Sequence, residues 1–206
     1  MRHAGWIAGT AAAALVAAGA VTYAVAEDDG SGGTPSADSA DAGFARDMAV
    51  HHQQAVEMSY IVRDRTKNAE VRRLAYDIAQ TQANQRGMLL GWLDLWDLPK
   101  VSAQAPMTWM DMGGMASGKD GSLMPGMATN TEMKKLDTLD GKQAEVFYLQ
   151  LMTDHHKGGI HMAEGCVARC TVGVEKRLAQ GMVDAQQSEI GLMADLLKKR
   201  GAAARP

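Results

Sequence analysis

Two stretches of the chain combine histidine and methionine at helical spacing. The first holds Met48, His51, His52, Ala55 and Met58, and the second Met152, His155, His156, Gly159, His161 and Met162. On an α-helix, residues three, four and seven apart lie on one face, so Met48, His51, His52 and Met58 form a stripe, as do their counterparts. Imidazole suits copper, zinc, iron and nickel, and the methionine thioether is soft and favours Cu(I). Two such stripes on facing helices would converge on an ion. Adjacent histidines point about 100° apart, so one of each pair is expected to face the core and the other a crevice or a neighbouring molecule. A plain core also produces a methionine stripe, and a single buried histidine is commonly a hydrogen-bonded structural residue. Those readings stand beside metal coordination.

A second group of soft ligands lies between the stripes. Met107, Met110, Met112, Met115, Met124 and Met127 are separated by Gly, Pro, Ser and Asp. Thioethers two or three residues apart in an irregular segment can surround Cu(I), and surface methionines can alternatively serve as an oxidation sink. Cys166 and Cys170 are the only cysteines. Their i,i+4 spacing on a helix is near the upper end of disulfide geometry. A disulfide is the favoured reading in an oxidising compartment, ahead of two reduced buried side chains or a Cu(I) site. Catalysis finds little support: there is no nucleophile motif, phosphate loop or zinc array. The Glu-x-x-His pairs of a di-iron bundle are absent, the nearest being the reversed His161-x-x-Glu164. Asp47, Glu57, Asp154 and Glu164 leave a carboxylate-rich metal oxidase as a minority reading.

The elements that position these residues follow from an internal repeat. A shift of 104 residues places Met48 on Met152, His51-His52 on His155-His156, Met58 on Met162, Leu74-Ala75 on Leu178-Ala179, Gln82 on Gln186 and Gly87 on Gly191. The unit is two helices present twice, which predicts duplicated helical hairpins forming an all-α four-helix bundle. The first helix is expected over Asp41–Arg65. The second runs from a cap at Thr66 or Asn68 to about Asp97, stopped by Leu98-Pro99. The third starts at Asp140, with Gln143 placed for a capping-box-like contact, and ends near Cys170. The fourth runs from about Val172 to Arg200, before Gly201. Val71, Leu74, Ala75 and Ile78, then Val174, Leu178 and Met182, recur at the spacing of a buried face. The Met-rich stretch 100–139 is expected to be an irregular crossover with a helical turn around Thr131–Leu136.

The N-terminus sets the compartment. Arg2 and His3 precede an apolar run over 7–26 that ends in Ala24-Val25-Ala26. This reads as a signal peptide cut after Ala26, or as a retained membrane anchor, since about 20 apolar residues span a bilayer. Either way the remainder is placed outside the cytoplasm. Residues 27–42 are acidic and Gly/Ser-rich and are expected to be a disordered linker. The bundle is then expected over 43–202, with repeats at about 43–97 and 140–200. The net charge of -3, without a basic patch, argues against nucleic acid as a partner.

The segments Asp47–Met58 and Leu151–Met162 resemble the paired signature of the family named domain of unknown function 305. So do Glu70–Ala75, Ala185–Ile190 and Met124-Pro125-Gly126-Met127. The resemblance covers about residues 41–202. It implies a ferritin-like helical bundle in an exported bacterial protein and, for some members, copper binding. The implied ligands are Met48, His51, His52, Met58, Met152, His155, His156 and Met162. His161 stands where an acid or Gln is more usual, and Gln85 where an acid is common. The leading expectation is therefore a secreted, periplasmic or cell-surface protein that sequesters copper or passes it to a delivery partner without turnover. A non-catalytic envelope interaction or stress module is the alternative.

Overall fold

The computed structural model describes residues 33–112 and 120–206. They contain five α-helices, one 3-10 turn and no strand. The helices are α1 (Ala40–Arg65), α2 (Ala69–Leu95), α3 (Asn130–Thr138), α4 (Gly141–Arg169) and α5 (Gly173–Lys199), and the turn is Thr108–Met110. α1 pairs with α2 and α4 with α5 as two hairpins, and α1 packs on α4 between them. The expected all-α bundle is the observed architecture. The expected signal or anchor segment, 1–26, and Met115 lie outside the described residues.

Local chemistry sets the helix ends. Ser39 accepts a hydrogen bond from the Ala42 amide to start α1, and Asn68 accepts from Glu70 and Val71 to start α2. Beyond α5, Gly201 takes the left-handed conformation (φ +67°) that glycine tolerates best. The capping box expected from Asp140 and Gln143 is not made. Gly141 adopts φ +52°, turning the chain sharply at the start of α4, and the exposed Asp140 carboxylate lies 4.0 Å from Arg65. The reciprocal box is formed instead by Thr129 and Glu132 at the start of α3.

Two expected boundaries shift. The linker does not reach residue 42, because α1 begins at Ala40 and both Asp41 and Ala42 are buried. Arg46 ties down the chain before it by donating to the Ala37 carbonyl at 2.8 Å and to the Pro99 carbonyl at 2.7 Å. The described parts of the Met-rich connection are also more ordered than their composition suggests. Its helix, α3, has nine residues, and Asp47 Oδ2 accepts from the Met107 amide (2.7 Å) and from Trp109 Nε1 (2.9 Å). These bonds draw the start of the connection onto α1, and Met107, Met110 and Met124 are buried.

The core divides into two apolar clusters. One gathers Phe44 and Met48 of α1, Met162 and Cys166 of α4, and the buried methionines of the connection. The other gathers Met58 and Val62 of α1 with Tyr148 and Met152 of α4. The start of α1 thus meets the end of α4 and the reverse, so the two helices are antiparallel. Their histidines fall at the junction between the clusters.

Candidate metal centre

All four paired histidines are completely buried, with 0% exposure. The expectation that one of each pair would face a crevice or a neighbouring molecule is therefore corrected. The reason is that α1 and α4 are each covered on two sides, by each other and by their hairpin partners. His51 and His155 enter the seam between α1 and α4, where their rings lie 3.8 Å apart, centroid to centroid. His52 and His156 turn into their own hairpins. His156 Nε2 lies 2.6 Å from Glu189 Oε2 on α5. The corresponding neighbour of His52 is Gln85 on α2, but no His52 ring nitrogen reaches hydrogen-bond geometry.

The hydrogen-bond census of this layer is incomplete. His51 Nε2 faces the Pro125 carbonyl at 3.3 Å, and His155 Nε2 faces the His51 carbonyl at 3.0 Å. Among the described residues no partner is found for His51 Nδ1, His155 Nδ1, His156 Nδ1 or either nitrogen of His52. A buried polar atom without a partner costs about 1–3 kcal/mol. The surroundings hold the His51, His52 and His155 rings neutral. Burial lowers His51 to about 4, with the charge of His156 adding to the fall. Burial lowers His52 to about 3, with His51 adding. Burial, with the other three histidines, holds His155 well below its usual value. A neutral imidazole nitrogen has a free lone pair, which is the form that binds a metal.

The methionines flank this layer in two pairs rather than all joining it. Met48 and Met162 lie in one apolar cluster, Met58 and Met152 in the other. Nor do the imidazoles close on one point. The only compact group of three or more His, Cys, Asp or Glu ligand atoms among the described residues lies elsewhere, at Cys166, Cys170 and Glu175. His161 is exposed, and its Nε2 lies 3.4 Å from Met112 Sδ, pairing a histidine of α4 with a methionine of the connection. Met127 is partly buried against the first cluster. Asp47, Glu57, Asp154 and Glu164 do not gather. Asp47 holds the connection, Glu57 accepts from Gln53, Asp154 lies beside Lys157 and Arg205, and Glu164 is exposed.

Residues 124–128 seat on the histidine seam through backbone contact. Gln54 brackets Ala128, accepting from its amide at 2.7 Å and donating to its carbonyl at 2.9 Å. A Cβ at Gly158 would overlap the Pro125 carbonyl, and one at Gly126 would overlap the Asp154 carbonyl. Glycine at both positions lets the loop backbone lie directly on α4. Sequence reasoning assigned no role to Gln54, Gly158 or Glu189. The repeat itself carried a signal for the last, since Gln85 and Glu189 are 104 residues apart and face the second histidine of each pair.

A second site was also missed. Helical spacing placed Val174 on the buried face of α5, yet Val174 is 43% exposed and Glu175 is fully buried. Neither Glu175 oxygen accepts a hydrogen bond, and the one polar group facing the carboxyl is Asp41. Burial, reinforced by the neighbouring Asp41 carboxylate, pushes Glu175 up to about 9. Asp41 itself accepts from the Thr171 and Val172 amides, each at 2.8 Å, and so fastens the α4–α5 corner to α1. Cys166 and Cys170 are joined there by a disulfide. Their sulfurs and a Glu175 oxygen all lie within 4.8 Å of one another.

The family profile described as Domain of unknown function (DUF305) matches residues 41–197. A crystal structure of a DUF305 protein from Streptomyces coelicolor, described as secreted, is 75% identical. The match covers 83% of this chain and 99% of that one, with a TM-score of 0.78. A DUF305 fragment from Deinococcus radiodurans is 29% identical over 78% of this chain and 96% of its own, with a TM-score of 0.64. CopM in its Cu(I)-bound form is 19% identical over 77% of this chain and 96% of its own, with a TM-score of 0.60. No curated protein matches the chain. No helix among the described residues is long and apolar enough to cross a membrane.

Proposed function

Because the chain belongs to the DUF305 family, we propose that it is an exported copper-binding protein that sequesters the ion or passes it on without turnover. The carrying observation is the set of five imidazole nitrogens that are buried and without hydrogen-bond partners among the described residues. Coordination would offset the cost of leaving them unpaired. Imidazole with flanking thioethers is a donor set suited to copper and can serve Cu(I). His51, His52, His155 and His156 are the residues assigned to hold the ion, with Met48, Met58, Met152 and Met162 on either side. The exposed His161 and the half-buried Met112 beside it are assigned the outer contact, where an ion arrives or leaves. The copper-bound state of CopM supports the reading, since that protein shares the fold.

A second reading is a non-catalytic envelope module whose His/Met faces serve packing and partner binding. It is favoured by one fact: three imidazole nitrogens do not close on a common point. Anaerobic Cu(I) titration against a competing chelator separates the two. The samples are the wild type, His51→Gln with His52→Gln, and Met112→Leu with His161→Gln, each with its helicity checked by circular dichroism. Tight uptake lost in the first variant supports the buried site. Slower loading at unchanged affinity in the second supports the outer contact. A wild type that cannot compete for copper sinks the copper reading and leaves the envelope module.

A further inference from the structure

We propose that the α4–α5 corner holds a second, redox-gated metal site, in which Cys166, Cys170 and Glu175 bind a thiolate-preferring divalent ion such as Zn(II) once the disulfide is opened. These residues form the one compact ligand group among the described residues, with their ligand atoms within 4.8 Å of one another. Cys166 and Glu175 are fully buried and Cys170 is 4% exposed. Glu175 points the same way, because its buried carboxyl accepts no hydrogen bond and its one polar neighbour is another acid, Asp41. Asp41, which already accepts three hydrogen bonds from Thr171 and Val172, adds negative charge beside the group and favours a cation there.

The chemistry requires a dithiol reductant. It delivers two electrons and two protons, the Cys166–Cys170 bond breaks to give two thiols, and the reductant leaves as its own disulfide. The ion then displaces three protons, two from the thiols and one from the Glu175 carboxyl, and binds two thiolates and a carboxylate. Two sulfurs with a carboxylate oxygen suit Zn(II), whose ligands are Cys, His and Asp/Glu, better than Cu(I), which prefers soft donors throughout. While the disulfide is closed both sulfurs are committed to each other, so the site exists only in the reduced chain. Cys170 caps the end of α4 with an extended backbone (ψ 151°), so its side chain can separate from Cys166 without unwinding the helix.

Cd(II) is the probe, because its bonds to thiolate give an ultraviolet charge-transfer band at longer wavelength than that of Zn(II). The chain is reduced anaerobically with a phosphine, desalted and titrated, and Zn(II) is then used to displace the Cd(II). The expected result is a band saturating at one equivalent in the reduced wild type and absent from the oxidised wild type. It should also be absent from the Cys166→Ser, Cys170→Ser double variant. Glu175→Gln should weaken Cd(II) binding by at least about tenfold. The proposal is overturned if the reduced wild type shows no band beyond the double variant, if Glu175→Gln binds equally well, or if reduction abolishes the helical signal before the ion is added. Copper uptake by the oxidised chain tests the histidine site separately, so the two readings can fail independently.

Discussion

Replacing Glu175 by Gln should stabilise the oxidised, chelator-treated protein, and by an amount that depends on pH. In the unfolded chain Glu175 titrates near its ordinary value of 4.5, whereas in the fold burial and Asp41 hold it protonated to about 9. A carboxyl with a raised folded value contributes its full stability below pH 4.5 and loses it progressively as pH rises towards 9. At pH 7.5 folding must drive a proton onto the side chain across three pH units, a cost of about 4 kcal/mol at about 1.4 kcal/mol per unit. At pH 5.0 the gap is half a unit, or about 0.7 kcal/mol. Gln fills the same volume and carries no such cost. Urea denaturation of both proteins at the two pH values should show the variant ahead by about 4 kcal/mol at pH 7.5, narrowing to under about 1 kcal/mol at pH 5.0. A gap that stays constant between the two would refute the reasoning, because a packing or hydrogen-bond difference does not titrate.

The histidine layer should act in the opposite direction. His51, His52 and His155 have lowered folded values, so their stability is present above pH 6.5 and lost on acidification. At pH 5.0 the loss is about 2 kcal/mol each, which urea midpoints of the Glu175→Gln variant at pH 7.5 and 5.0 would reveal; an unchanged midpoint counts against neutral burial. Gly158→Ala should cost about 1–3 kcal/mol and lower the melting temperature, since two backbones meet there, and should alter the ring-nitrogen shifts of His51 as Pro125 is displaced. Glu145 accepts from Thr66 at 2.5 Å and from Arg200 at 2.6 Å, all three being buried. Glu145→Ala should therefore cost about 3–5 kcal/mol in urea denaturation, while replacing Glu145 and Arg200 together by Leu and Met should restore most of it.

The bundle was legible because the repeat and the helix-stop signals are local. Asn68, Pro99 and Gly201 act within a turn of where they stand, and the observed helix ends lie within about two residues of those expected. The histidines were legible as residues but not as a layer. Spacing along one helix assigns a face, but it does not say that both α1 and α4 are covered on two sides, which is what buries both members of each pair. Glu175 was illegible for a related reason: the apolar residues Val174 and Leu178 select one face, whereas the face α5 buries runs through Glu175, Ala179, Met182 and Gln186. The connection was read as an irregular crossover, because the Asp47 anchor that draws its start onto α1 lies 60 residues away in sequence.

The hairpin arrangement also orders events in time. Each hairpin closes over a three-residue connection, 66–68 or 170–172, so its contacts are local in sequence and quick to form. The seam between α1 and α4 brings together residues 104 apart, as His155 and His51 show. Contacts of such long separation form late, because loop-closure entropy must be overcome first. The chain would thus complete its hairpins early and its histidine layer last. An ion gripped across that seam would do little to hasten folding. It would instead slow the parting of the hairpins, acting on the lifetime of the native state rather than on its formation.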